Sequence, residues 1–159
     1  MKRFHSGFSM IELIIVIAIL AVLTAITLPI LSTGFNSYVA QRNLSDANWQ
    51  GKLALSRMTR DIRSLPSTGN ISTASSTQFT FTDLNNASVS YTLSGTNLQR
   101  NALTLANGIA AITFGYYDNA GASTGTIANI RYVSVELNIT QGNTNTTLET
   151  VINLRNIIS

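Results

Sequence analysis

The chain has 159 residues, enough for one ordinary domain plus an appendage, and 45% are hydrophobic while only 11% are charged. So few charges mean that part of the apolar weight lies outside a water-soluble core. Cysteine is absent, which excludes a disulfide framework, a thiolate nucleophile and a cysteine metal site. The net charge of +3 invites a nucleic-acid reading, but the cations gather early: Lys2 and Arg3, then Arg42, Lys52, Arg57, Arg60 and Arg63. After Pro66 only Arg100, Arg131 and Arg155 face Asp83, Asp118, Glu136 and Glu149, so no basic face and no specific nucleic-acid partner is expected there.

From Leu13 to Gln41 no side chain is charged, and Leu13 to Leu23 is nearly pure aliphatic. About 20 such residues cross a bilayer as a helix. Lys2 and Arg3 precede the run and the next cation is Arg42, which places the amino terminus in the cytoplasm and the bulk of the chain outside. A cleaved signal peptide, with Thr24-Ala25 as its small-residue site, competes with a retained anchor. Neither explains Glu12, which stands between Ile11 and Leu13. A charge in lipid costs a few kcal/mol and marks a functional site unless it reaches the interface. From physics alone, snorkelling and a buried partner stand level.

Gly7-Phe8-Ser9-Met10-Ile11-Glu12-Leu13 resembles the prepilin processing motif of type IV pilins and type II secretion pseudopilins. The resemblance implies that a prepilin peptidase cuts between Gly7 and Phe8, leaving residues 1–7 as leader, and methylates the Phe8 amine. It further implies that Glu12 pairs with the terminal amine of a neighbouring subunit, fixing axial register by charge neutralisation in a low dielectric. The partners implied are other pilin subunits, the peptidase and an inner-membrane assembly platform. The location implied is the inner membrane before assembly, then a periplasmic pseudopilus or a surface pilus. Residues 8–33 would form the membrane and filament-core helix. Pro29 lies where many members carry a helix-loosening proline, and with Gly34 it predicts a kink or local melting between about 27 and 34.

Residues 34–65 continue as an amphipathic helix. Leu44, Gly51, Leu55, Met58, Ile62 and Leu65 share one face, while Arg42, Asp46, Lys52, Arg57, Arg60, Asp61 and Arg63 lie mostly off it. Pro66 stops the helix. The cations Lys52, Arg57, Arg60 and Arg63 suit a helix carboxyl end and a solvated face. The stretch Leu55 to Arg63 resembles the end of the long helix in minor pilins and J-type minor pseudopilins.

Residues 66–159 turn to Ser, Thr, Asn and Gly with short alternating apolar runs, predicting a β-rich head. Strands are expected over Phe79–Thr82, Val89–Leu93, Ile112–Tyr116, Val133–Ile139 and Leu148–Leu154. Turns are expected at Asp83–Asn86, Asp118–Gly121, Gly121–Gly125 and Gln141–Asn143. One antiparallel sheet covered by the amphipathic helix gives an α+β fold. Ile112 to Asp118 resembles J-type and related minor pilin heads, and without cysteine the last strand is held by packing and ladder bonds alone.

No enzyme chemistry is expected. The one histidine, His5, falls in the leader, so the processed chain holds no His or Cys for a triad or a His-bearing zinc site. Four head carboxylates sit in strand or turn contexts rather than as an acid/base pair, and Asp118 with Asn119 reads as a turn before a calcium site. No cofactor or metal is expected. The leading function is a minor pilin or minor pseudopilin. The alternatives are a major pilin, or a secreted binding module or adhesin with an ordinary signal peptide.

Overall fold

A computed structural model of the chain describes residues 9–141 and 144–154. The elements are α1 (Met10–Arg63), β1 (Ile71–Ala74), β2 (Phe79–Thr82), β3 (Ser88–Ser94), β4 (Asn97–Arg100), β5 (Leu103–Ala106), β6 (Ile109–Tyr117), β7 (Tyr132–Gln141) and β8 (Thr144–Asn153). Two single 3₁₀ turns, Thr68–Asn70 and Ile127–Asn129, lie between them. The chain divides into two compact units, Met1–Gln41 and Arg42–Ser159.

In the first unit the helix is uninterrupted. Of the kink or local melting expected between about 27 and 34, melting is absent: Pro29 and Gly34 both sit inside continuous α-helix. Proline removes a single backbone donor, and one missing rung in a helix of 54 residues does not end it. Two hydroxyls that could disturb the apolar run are turned back onto the helix. Thr24 donates to the Leu20 carbonyl at 2.7 Å and Thr27 to that of Leu23 at 2.6 Å.

In the second unit α1 buries Ala47, Gly51, Ala54, Leu55, Met58, Asp61 and Ile62, the expected stripe widened by two alanines and one acid. Leu44 packs on the core from its margin. The helix stops at Arg63, two residues before the expected end at Leu65. The Ser64 amide is shared between the Arg60 and Asp61 carbonyls at 3.2 Å each, and Pro66 follows.

The strands form two antiparallel sheets rather than the single sheet expected. Five run as a meander, β1-β2-β3-β4-β5, and three make the second sheet, β6-β7-β8. The five foreseen strands are present as β2, β3, β6, β7 and β8, while β1, β4 and β5 were not foreseen. Alternation shows that a strand has a buried face but not which neighbour it pairs with. Asn107-Gly108 separates β5 from β6, with Gly108 at φ +75°. The sheets are joined through the β1–β2 turn: Phe114 donates its amide to Ser76 O at 2.8 Å, and Tyr116 its hydroxyl to Ser75 O at 2.8 Å. The Gln141–Asn143 turn lies partly outside the described residues, and Gln141 pairs with Thr144 across it.

One core unites the later half of α1 with both sheets. At its centre Phe79 has ring centroids 5.3 Å from Phe81, 5.8 Å from Phe114 and 5.8 Å from Tyr116. Each such aromatic contributes about 2 kcal/mol by leaving water. Gly51 sets how near the second sheet lies to the helix, since a Cβ there would meet the Ile139 and Leu148 methyls at 2.9 Å. The last strand, β8, is held as expected by its ladder to β7 and by Ile152 in the core. The architecture is α+β, a long apolar helix leading into antiparallel sheets.

Candidate functional site

The first unit holds the sequence-derived site residues. Gly7 and Phe8 lie outside the described residues. Ser9 O accepts the Leu13 amide at 3.2 Å, so the helix starts at Met10 and Glu12 lies in its first turn. A carboxylate is favoured there by the helix dipole, one reason for an acid to tolerate an apolar neighbourhood. Among the described residues no cation lies within ion-pair distance of Glu12. Every residue from 9 to 43 is exposed, including Ile17 (56%) and Leu20 (55%). A helix this long and apolar meets the length and composition needed to cross a membrane. Nothing among the described residues of its own unit covers it.

The second unit holds a site the sequence reading misplaced. Asp61, read as lying off the apolar face, is buried. Its Oδ2 accepts the Tyr91 hydroxyl at 2.8 Å and Arg100 Nε at 2.7 Å, while Arg57 Nε stands 3.1 Å from Oδ1. Burial opposes ionisation of this carboxyl. The Arg100 and Tyr91 hydrogen bonds and the two guanidinium charges outweigh it and hold the carboxyl below its ordinary value. Burial and the Asp61 charge push the Tyr91 hydroxyl the other way, so it stays a proton donor. Arg100, opposed by burial but bonded to Asp61, is raised as well. The cluster fixes α1 against β3 and β4. Arg57 and Asp61 at i and i+4 were the available signal, and the long-range partners Tyr91 and Arg100 carried none.

Other candidates are resolved by their bonds. Asp118 Oδ1 accepts the Ala120 and Ala122 amides at 2.9 Å each, the turn expected of it. A shallow hollow there is lined by Asp118, Asn119, Ala120, Asn129 and Arg131, and a guanidinium beside the acid disfavours calcium. Asp83 Oδ1 likewise accepts the Asn85 and Ala87 amides. Among the described residues no three His, Cys, Asp or Glu side chains gather as metal ligands would. Of the basic cluster, Arg57 is taken by Asp61, while Lys52, Arg60 and Arg63 remain exposed. Gln50 Oε1 accepts the Asn107 amide at 3.0 Å, tying the helix to the link between the sheets.

Residues 2–28 match the family model described as the prokaryotic N-terminal methylation motif. No curated protein and no solved structure matches the chain. The matched stretch contains Gly7, Phe8 and Glu12 together with most of the uncovered apolar helix. It supports a type IV prepilin-like protein, anchored in a membrane by that helix.

Proposed function

We propose that the chain is a filament subunit of a type IV pilus or a type II secretion pseudopilus. Prepilin peptidase would cut after Gly7 and methylate Phe8 at the cytoplasmic face of the inner membrane. The helix would then leave lipid for a bundle of like helices, and Glu12 would neutralise the Phe8 amine of a neighbour. The observation that carries this reading is the wholly exposed apolar helix with its one acid, inside the stretch matched to the methylation motif. Such a surface needs cover, and lipid followed by other subunits supplies it in turn. Pro29 and Gly34, though helical, are the weakest rungs and would be where the helix bends in the packed filament.

The finer place proposed is a minor subunit, supported by the Leu55–Arg63 and Ile112–Asp118 segments. Abundance in sheared filaments separates it from a major subunit. The mass of the mature amino terminus tests the reading as a whole. A chain beginning at methylated Phe8 is expected, whereas one beginning near Ile26 would mean an ordinary signal peptide and a secreted module. Replacing Gly7 with a bulky residue should leave full-length precursor in the membrane. Glu12→Ala should be processed and inserted normally yet fail to enter filaments. Normal incorporation of either variant defeats the proposal.

A further inference from the structure

The second sheet has one face in the core and one face largely uncovered, Ser134 beside Gly115 and Tyr117 being its buried exception. On the uncovered face the β6-β7-β8 register places Thr113 opposite Glu136 and Glu136 opposite Glu149. Like charges directly across a ladder are destabilising. Among the described residues the only side-chain partner of either carboxylate is Asn138, whose Nδ2 donates to Glu136 at 3.1 Å. Among the described residues no cation lies within ion-pair distance of them. The other acids of the strands and turns, Asp83 and Asp118, are taken by backbone amides. Among the described residues, then, two adjacent carboxylates have no neutralising cation, and Val151, two residues along β8 from Glu149 on the same face, is 56% exposed.

The same unit carries the complement. On α1, opposite its buried stripe, Lys52, Arg60 and Arg63 share an exposed arc at about 100° per residue. At the amino-terminal end of that arc, beside Lys52, Trp49 is 65% and Leu53 53% exposed, a tryptophan and a leucine one turn apart with no cover among the described residues. Asp46 stands at the margin of the arc. An apolar pair with Lys52 beside it and two further cations along the helix is complementary in charge and character to a valine with a pair of carboxylates on one side.

We infer that the α1 arc of a second copy of this chain docks on the uncovered β6-β7-β8 face, with Trp49 and Leu53 over Val151 and the cations on Glu136 and Glu149. This rests on the filament reading above and deepens it by naming a contact outside the membrane-spanning segment. The two patches differ, so the contact is heterologous and repeats from copy to copy without closing. It requires two copies of the chain to be neighbours in the filament.

The absence of cysteine makes the test clean. Ser56→Cys on the arc and Thr113→Cys on the sheet face, both at exposed positions, are introduced into separate full-length copies expressed together in filament-forming cells. A short bis-maleimide reagent should give a covalent dimer when both variants are present, and none when either is expressed alone. Both substitutions in one chain should give a ladder. Glu136→Lys with Glu149→Lys should cut the dimer roughly tenfold or more through like-charge repulsion, and Lys52→Glu with Arg60→Glu on the partner copy should restore it. Thermal unfolding of each variant checks that its head is intact.

The amino-terminal mass, read on the same sample, separates the two claims. With a methylated Phe8 start and no cross-link, the docking is wrong and the filament reading stands. With a start near Ile26 the filament reading falls, and the cross-link alone then decides the docking. A cross-link formed only to a different protein overturns it. Binding of phosphatidylglycerol vesicles through the arc without any cross-link also overturns it, in favour of a lipid surface.

Discussion

The two ends of α1 obey opposite rules. Before residue 44 every described side chain is exposed, although most are aliphatic. After it the same helix buries a stripe against two sheets and leaves cations outside. In the later stretch the apolar residues are spaced at three and four, and the chain itself supplies their cover. In the earlier stretch they surround the helix, a pattern that one covering layer cannot satisfy. The early half is thus written for an apolar solvent or for neighbours on all sides, and the later half for this chain's own strands.

Truncating the centre of the self-covered half is the strongest way to break this contrast. Phe79 touches three other rings and has no exposed surface. Phe79→Ala should cost about 4 kcal/mol, lost contacts and cavity together. Thermal unfolding of the full chain in detergent should show it, and a loss under about 1 kcal/mol would mean that the aromatic cluster is not the centre of the core.

The Asp61 cluster comes next. Asp61→Ala removes the acceptor shared by Tyr91, Arg100 and Arg57 and strands a partly buried guanidinium, which should cost about 3 kcal/mol. Its pH dependence has a definite sign. The carboxyl is held below its ordinary value of 3.8 in the folded chain, so its stabilisation is complete above that value and drains away as pH falls through the lowered one. An acid titration of the wild type should therefore lose extra stability below about pH 4. Asp61→Asn, with no charge to lose, should run flatter there. Equal acid slopes would remove the ion cluster from the account.

Legibility in the sequence divides along the same line. The apolar run, Glu12, the helix stop at Pro66 and the long alternating strands could be read because each signal is local. The hairpin between β4 and β5 could not. Its turn is Asn101-Ala102, with φ of 52° and 64°, where the usual signature is Asn-Gly, and β4 has one apolar residue, Leu98. Asn101 holds the turn through bonds from its side chain to Ser90 N and Ser88 O, contacts with no local trace. Asp61 was misplaced for the same reason. Helical position put it at the edge of the apolar stripe, and only the arrival of β3 and β4 decided that it would be buried. The division into two sheets likewise depends on which hairpins meet, and strand periodicity is silent on that.

The smallest expected effect is the one that separates the halves most sharply. Ile17 and Ile62 lie in one helix, the first 56% exposed and the second fully buried. Ile62→Ala should lower the stability of the head by about 3 kcal/mol. Ile17→Ala should leave it within about 0.5 kcal/mol, because Ile17 is exposed and is not part of the head's core. The Ile17 change is still not silent, since it takes apolar surface from lipid and from any helix packed beside it. Its cost should surface only in assembly, as reduced incorporation at unchanged unfolding temperature. If Ile17→Ala instead destabilised the head as much as Ile62→Ala, the early helix would be covered by its own chain. Its apolar surface would then have no need of a membrane or of neighbouring subunits.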